Sequence, residues 1–136
     1  MAKRKILIVD DEPDFLEVMR ARLEANDYEV KTAAGGDGAL KFIKDEKPDA
    51  VLLDILMPGM DGLEVLKKIR KIDEGLPVYI ITAFSTDERF KAANRLGASG
   101  FIVKTDDLAK EVDNITSALD MSARFHKKGK KGENDG

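Results

Sequence analysis

The stretch ILIVDDEPDF, from Ile6 to Phe15, decides the fold, because an apolar run ends abruptly there at two adjacent aspartates. The four apolar residues Ile6–Val9 have the composition of a strand that is buried on both faces. Asp10 and Asp11 follow directly. Adjacent carboxylates repel each other, and their charge is costly to keep at the edge of a core. This arrangement therefore indicates that the strand ends at a site where the negative charge of the two aspartates is functional.

Short apolar runs recur along the chain, and segments with helical spacing lie between them. We predict strands at Ile6–Val9, Tyr28–Thr32, Ala50–Leu53, Val78–Ile81 and Phe101–Val103, the second of which alternates as an edge strand does. We also predict five helices, and the fourth, near residues 87–96, has few large apolar side chains to hold it. Strands that alternate with helices form a parallel sheet covered on both sides, which makes the fold class α/β.

The composition indicates one soluble domain. The chain has 136 residues, of which 43% are hydrophobic and 36% are charged, and its formal charge is -3. This mild charge indicates neither a nucleic acid nor a membrane partner. The first apolar run is shorter than the about 7–15 residues of a signal-peptide core, and no run approaches the about 18–20 residues of a membrane span. Since the chain also has no cysteine, we expect a cytoplasmic protein without disulfides or thiolate chemistry.

Reactive side chains follow four of the five predicted strands. Asp10 and Asp11 follow the first strand, Asp54 the third, Thr82 the fourth and Lys104 the fifth. They should converge in one cleft, because the carboxyl ends of parallel strands share an edge of the sheet. Three carboxylates destabilise one another unless a cation is present, and Mg²⁺ suits these oxygen ligands, with Mn²⁺ as the alternative ion. The lysine and the hydroxyl would serve an anionic phosphoryl group, for which a carboxylate can be the covalent acceptor.

Four motifs, ILIVDDE, LLDILMPGMDGLE, IITA and FIVK, resemble in order and spacing those of the response-regulator receiver domains of two-component signalling. The resemblance covers about residues 4–122. It implies a flavodoxin-like, doubly wound, five-stranded parallel sheet in the order 2-1-3-4-5 with five helices. It also implies that Asp54 is phosphorylated and that Asp10, Asp11, Asp54 and the backbone carbonyl of Leu56 bind the metal ion.

The resemblance further implies a conformational switch. Thr82 would reach the phosphoryl oxygen, Lys104 would pair with it, and Phe101 matches the switch aromatic of the family. Movement of Thr82 toward the phosphate would leave space for Phe101 to turn inward, which would repack the face made by the fourth helix, fifth strand and fifth helix. A plain core role for Phe101 is the alternative.

Three positions bear on the chemistry in ways particular to this chain. The family usually has a proline after the lysine, joined by a cis peptide bond, and Thr105 stands there. We expect either a rerouted trans loop or a strained cis bond, since a cis bond to another residue costs about 3–4 kcal/mol. Leu56 and Phe84 stand where the family controls access of the hydrolytic water. Because bulky apolar groups cannot orient water, our hypothesis is a long-lived aspartyl phosphate.

The expected function is a switch that assists its own phosphorylation and slow dephosphorylation, not an enzyme of multiple turnover. The phosphoryl donor would be a sensor histidine kinase or a histidine phosphotransfer protein, and the signal would pass to a downstream protein or output domain. A phosphorylation-dependent homodimer through the switch face is a further option. Two other functions are disfavoured. A receiver fold that acts without phosphate would be expected to lose an acidic residue or the lysine, and a dehalogenase-type phosphatase needs an aspartate where Leu56 stands.

The receiver domain would extend over residues 1–122, and residues 123–136 would be a disordered charged tail or linker stub. The glycine-rich and charged composition of this tail supports that division. We expect no direct nucleic-acid binding by the domain, because no DNA-binding helix pair follows it. We also expect no membrane contact.

Overall fold

The main sheet has five parallel strands. The computed structural model of the chain describes residues 3–57, 60–83, 86–104, 110 and 113–120. The strands are β1 (Arg4–Val9), β2 (Tyr28–Ala33), β3 (Ala50–Leu53), β4 (Val78–Thr82) and β5 (Gly100–Val103). Their spatial order is β2-β1-β3-β4-β5 with every pair parallel. This is the predicted order, and it confirms the predicted fold class.

Helices connect the strands on both faces of the sheet. They are α1 (Pro13–Ala25), α2 (Gly36–Glu46), α3 (Gly62–Ile72) and α4 (Asp87–Arg95), and residues 113–120 form a further helical segment. A short antiparallel hairpin pairs Leu56–Met57 with Met60–Asp61, which the sequence did not predict. Within the part of the chain that the structure describes, none of the helices has the length and apolar content needed to cross a membrane.

Local sequence explains where three of the helices begin. Pro13 opens α1, where its missing N–H would have had no partner and its fixed φ suits the helix. The side chain of Asp61 caps α3 by accepting a hydrogen bond from the N–H of Leu63. Thr86 caps α4 in the same way for Arg89. α1 begins four residues after the end of β1, and α4 begins five residues after the end of β4, so their first turns border the same cleft as the strand ends.

The core lies on both faces of the sheet, as expected for strands that alternate their side chains. One face packs against α2, α3 and α4 through Leu7, Val9, Val51, Leu53, Val78 and Ile80. The other face packs against α1 and the 113–120 segment through Ile6, Ile8, Leu52, Tyr79, Ile81 and Ile102. Each buried aliphatic side chain contributes about 1.5–3 kcal/mol of transfer free energy. The sheet is therefore a rigid base for the residues at its carboxyl edge.

The two weakly packed elements that the sequence indicated are present. In β2 only Val30 is buried, as expected for an edge strand. In α4, all of whose residues are described, only Ala93 is buried. The helix is therefore held by few apolar contacts and by polar contacts at its first turn.

Several expectations concern residues outside the described ranges. They are the loop position Phe84, the bond between Lys104 and Thr105, the start of the fifth predicted helix, and the tail 123–136.

Candidate functional site

Backbone hydrogen bonds place three of the predicted residues at the carboxyl edge of the sheet. The ladder continues one residue past the strand ends: the N–H of Asp10 donates to a carbonyl of β2 at 3.1 Å, that of Asp54 to β1 at 2.9 Å and that of Lys104 to β4 at 2.9 Å. Each residue is thus fixed by the sheet itself and not by a loop. The side chains of Asp10, Asp54 and Lys104 meet in the cleft beyond this edge.

Burial singles out the same positions. Among the described residues, the buried polar or charged side chains are those of Asp10, Asp54 and Thr82, which are 0%, 4% and 2% exposed. Burying a carboxylate is costly unless it is paired or hydrogen-bonded, so two buried aspartates at one strand edge call for a compensating cation. All three residues had been selected from the sequence.

Lys104 supplies that cation and is the centre of the site. Its ammonium lies 2.5 Å from an oxygen of Asp10, 2.8 Å from Glu12 Oε1 and 3.2 Å from Asp54 Oδ2. It also lies 4.3 Å from the centre of the Phe15 ring, within range of a cation–π contact. Three carboxylates and one aromatic ring therefore surround a single positive charge.

The two aspartates are also held by backbone N–H groups. Asp54 Oδ1 accepts a hydrogen bond from the N–H of Leu56 at 2.8 Å. Asp10 Oδ1 accepts one from the N–H of Glu12 at 2.9 Å. One oxygen of each carboxylate is thus oriented by the following turn, and the other oxygen faces Lys104.

The charges in the site perturb one another. Burial raises the pKa of Asp10, and the charge of Asp54 adds to that effect, while hydrogen bonds from Lys104 and from the N–H of Glu12 act against it. Burial acts to lower the pKa of Lys104, but hydrogen bonds to Asp10 and Glu12 and the charges of Asp10 and Asp54 raise it above its usual value. Lys104 is therefore charged throughout the physiological range, and Asp10 carries an unfavourable buried charge.

The acidic residues suit a hard divalent cation. One carboxylate oxygen each from Asp10, Glu12 and Asp54 lie within 4.8 Å of one another, which forms a cluster of oxygen ligands of the kind that Mg²⁺ takes. Asp11, which is half-buried, is described by the structure, but its carboxylate is not a member of this cluster. Leu56, whose backbone carbonyl was also predicted as a ligand, lies beside Asp54 with its side chain 40% exposed. The carboxylate oxygens of the cleft thus fit a Mg²⁺ ion. Glu12 is the member of this acidic cluster that the sequence did not predict.

The predicted switch aromatic lies at the surface. Phe101 is 37% exposed, and its ring packs edge-on against Phe90 of α4 with the ring centres 4.8 Å apart. The register of β4 with β5 pairs Ile80 with Phe101, so Thr82 and Phe101 face the same side of the sheet, toward α4. The exposure of the Phe101 ring and its contact with α4 do not favour a plain core role for this residue.

Sequence reasoning missed Glu12, Phe15 and Arg89. Glu12 is the N-cap residue of α1, yet its side chain makes no capping hydrogen bond. N-cap positions favour Ser, Thr, Asp and Asn. A Glu at the N-cap of α1 could therefore have indicated a role other than capping. Phe15 ends the stretch that decides the fold, but no role at the site was predicted for it. Nothing in the sequence indicated that Arg89 would contact the loop after Asp54.

Comparisons with known proteins identify the same class. The family model of the response regulator receiver domain matches residues 6–116. The chain is 35% identical over 123 residues to sporulation initiation phosphotransferase F of Bacillus subtilis, covering 90% of this chain and 99% of that protein. It is 39% identical over 103 residues to the alkaline phosphatase synthesis transcriptional regulatory protein PhoP of the same species, covering 74% of this chain but 42% of the regulator.

A solved structure gives the same result. The response regulator receiver domain protein (CheY-like) from Methanospirillum hungatei superposes with a TM-score of 0.82 at 30% identity, covering 90% of this chain and 98% of the other. Because the match covers 90% of this chain, it is not confined to the motifs around the cleft.

Proposed function

The chain belongs to the response regulator receiver domain family, the phosphorylation-controlled switches of two-component systems, and from this premise we propose that Asp54 is its phosphoacceptor. The observation that carries the proposal is the pairing at the strand edge of the buried Asp54 carboxylate with the Lys104 ammonium, whose side chain is 9% exposed. Asp54 Oδ2 accepts a hydrogen bond from Lys104 at 3.2 Å, while the N–H of Leu56 holds Oδ1 at 2.8 Å.

The reaction moves a phosphoryl group from a histidine nitrogen of a donor protein to a carboxylate oxygen of Asp54. An O–P bond forms as the N–P bond breaks, and the electron pair of the broken bond stays on the imidazole nitrogen, which then takes up a proton. Lys104 neutralises the charge on the transferring oxygens from a position fixed by the sheet. Thr82 hydrogen-bonds the bound phosphoryl group with its hydroxyl.

Asp10, Asp11, Asp54 and the backbone carbonyl of Leu56 would hold a Mg²⁺ ion, with Mn²⁺ as the alternative. The clustered carboxylate oxygens of Asp10 and Asp54 support this assignment. When bound, the ion neutralises the phosphoryl oxygens as a Lewis acid.

The output is a change on the face made by α4, β5 and the 113–120 segment. The outward Phe101, packed on Phe90, suits the resting state, and an inward turn of its ring would follow movement of Thr82 toward the phosphate. Because α4 buries one residue, it can shift at low cost. Phosphorylation would thus move an existing equilibrium between two arrangements.

Loss of the phosphoryl group is slow in this proposal. Hydrolysis needs a water that attacks phosphorus, breaks the O–P bond and restores the carboxylate of Asp54. Leu56 has no polar side-chain atom with which to orient that water, and its apolar side chain is exposed two residues after Asp54. The chain therefore keeps its signal and does not turn over a substrate.

The partners follow from this chemistry. A sensor histidine kinase or a histidine phosphotransfer protein supplies the phosphoryl group, and a downstream protein or output domain reads the switch face. A homodimer through that face is one form the output can take. Residues 1–122 act as the receiver, and residues 123–136 are a tail or linker.

The test is incubation with Mg²⁺ and acetyl phosphate, which transfers the same group and releases acetate. Mass spectrometry should find one phosphoryl group on Asp54 in the native protein and none in Asp54→Asn. Asp45→Asn, which removes an exposed carboxylate on α2, should be modified like the native protein. Hydrogen exchange should change at α4 and β5 only where Asp54 is modified. If the native protein shows neither modification nor change, a receiver fold that acts without phosphate replaces this proposal.

A further inference from the structure

Lys104 has as many acidic partners as it has N–H bonds. An ammonium offers three donors, and oxygens of Asp10, Glu12 and Asp54 surround it at 2.5, 2.8 and 3.2 Å. A phosphoryl oxygen that takes a hydrogen bond from Lys104 must therefore displace one of these three carboxylates. The carboxylate that is displaced should be the one whose separation from Lys104 costs the least free energy.

The three carboxylates differ sharply in exposure. The side chains of Asp10 and Asp54 are 0% and 5% exposed, whereas that of Glu12 is 62% exposed. Before the O–P bond forms, Asp10 and Asp54 are both carboxylates, and a buried carboxylate that loses its cation keeps an uncompensated charge, which is strongly unfavourable. Glu12 can return to water at little cost. Glu12 is therefore the partner whose replacement costs the least.

The placement of Glu12 supports a task at Lys104. It occupies the N-cap of α1 without capping the helix, and its longer side chain extends to an ammonium 92 positions away in the chain. Its own N–H binds Asp10 Oδ1, so residue 12 contacts the site through both backbone and side chain. Phe15, in the first turn of the same helix, lies under the Lys104 ammonium at 4.3 Å. The ring would keep Lys104 in place after Glu12 leaves.

We propose that Glu12 is a positioning residue that holds one N–H of Lys104 until a phosphoryl oxygen replaces it, and that it thereby slows modification by small anionic phosphodonors. The inference rests on the proposed role of Asp54 as phosphoacceptor. Two effects act in the same direction. Glu12 occupies a donor that the incoming group needs, and its exposed negative charge repels an anionic donor at the mouth of the cleft.

Two variants of Glu12 separate these effects. Glu12→Gln removes the charge, so modification by acetyl phosphate should be about three- to tenfold faster. Glu12→Asp keeps the charge, but a shorter carboxylate at an N-cap bonds the N–H groups of its own helix and releases Lys104. It should also be faster than the native protein. Glu17→Gln is the matched control, because Glu17 is exposed on the same helix and pairs with Arg20 outside the cleft. Its rate should be unchanged.

A second readout does not depend on phosphorylation. The side-chain ammonium of Lys104 should give a protected signal in ¹H–¹⁵N NMR spectra of the native protein and of Glu17→Gln without any phosphodonor. That protection should fall in both Glu12 variants. Mg²⁺ with beryllofluoride, a phosphoryl mimic, should restore it, since the mimic supplies the oxygen-like partner that Glu12 gave.

Two failures can be told apart. If mass spectrometry finds no modification of Asp54 in the native protein, the proposed function fails and this inference falls with it. If Asp54 is modified but both Glu12 variants react at the native rate, or their Lys104 protection is unchanged, only the role of Glu12 is overturned.

Discussion

Arg89 of α4 donates a hydrogen bond at 3.3 Å to the backbone carbonyl of Ile55, the residue that follows Asp54 in the chain. The same Nη2 pairs with Asp61 Oδ1 at 2.9 Å, and Asp61 caps α3. One guanidinium therefore joins α4 to the loop that leaves β3. Because α4 has little apolar anchoring, this polar contact has a large share in fixing its first turn.

Replacement of Arg89 by methionine should loosen α4 while leaving the sheet intact. We expect a loss of about 0.5–1 kcal/mol in the free energy of unfolding, since the pair is partly exposed. Hydrogen exchange in residues 86–95 should be faster in the variant, and β1 and β3 should keep native protection. Arg20→Met removes a surface pair on α1 and should change neither quantity. If α4 of the Arg89 variant exchanges at the native rate, the contacts of Arg89 with Ile55 and Asp61 are not what holds the helix.

Gly62 should tolerate no side chain. A Cβ there would lie 2.3 Å from the Cα of Ile55 and 2.7 Å from the carbonyl oxygen of Asp54, and backbone atoms cannot give way as side chains do. We expect Gly62→Ala to lose at least about 2 kcal/mol of stability in urea denaturation.

The control for that change is Gly38→Ala in α2. A Cβ at Gly38 has open space around it, and alanine favours helix, so the variant should gain about 0.5–1 kcal/mol. Equal effects of the two substitutions would contradict the tight packing of the loop beneath Asp54.

Divalent metal should stabilise the fold through the acidic cluster. At a Mg²⁺ concentration ten times its dissociation constant, the gain is about 1.4 kcal/mol, or a rise in Tm of about 4–6 °C. Asp10→Asn should lose most of this gain. Without metal it should melt at a higher temperature than the native protein, because burial raises the pKa of Asp10 and its ionised form opposes folding. Differential scanning calorimetry in EDTA and in Mg²⁺ measures both effects, with Asp45→Asn as the control. If the Tm of the native protein is the same in EDTA and in Mg²⁺, the metal site is ruled out.

The lifetime of the aspartyl phosphate should depend on the side chain at position 56. Leu56→Gln introduces an amide that can orient water, and we expect loss of the phosphoryl group to be about tenfold faster, which is about 1.4 kcal/mol in the barrier. The side chain is 40% exposed, so the fold should be unaffected. Ile72→Gln makes the same kind of change at a site 37% exposed at the end of α3 and should leave the lifetime as it is. Phosphate release from isolated phosphorylated protein gives the rates. A native lifetime of seconds would contradict the hypothesis of a persistent signal.

The strand boundaries show where local pattern was insufficient. The prediction began β1 at Ile6, but the strand begins at Arg4. Two basic side chains are accommodated there because Arg4 donates to the carbonyl of Leu119 at 2.8 Å and Lys5 bonds Asp49 through its backbone. The small hairpin around residues 56–61 was likewise missed, since each of its strands is two residues long and has no periodicity to read.

The sequence by itself determined the architecture and four residues at the carboxyl edge of the sheet. Apolar runs and helical spacing are local properties, and in a parallel sheet they place every strand end on one edge, so Asp10, Asp54, Thr82 and Lys104 could be chosen from their positions alone. Only the tertiary structure decided which side chains share the Lys104 ammonium and which residue ties α4 to the site. Glu12 and Lys104 are 92 positions apart, and Arg89 and Asp61 are 28 apart. Contacts over such separations depend on how helices pack across the sheet, and no local pattern encodes that.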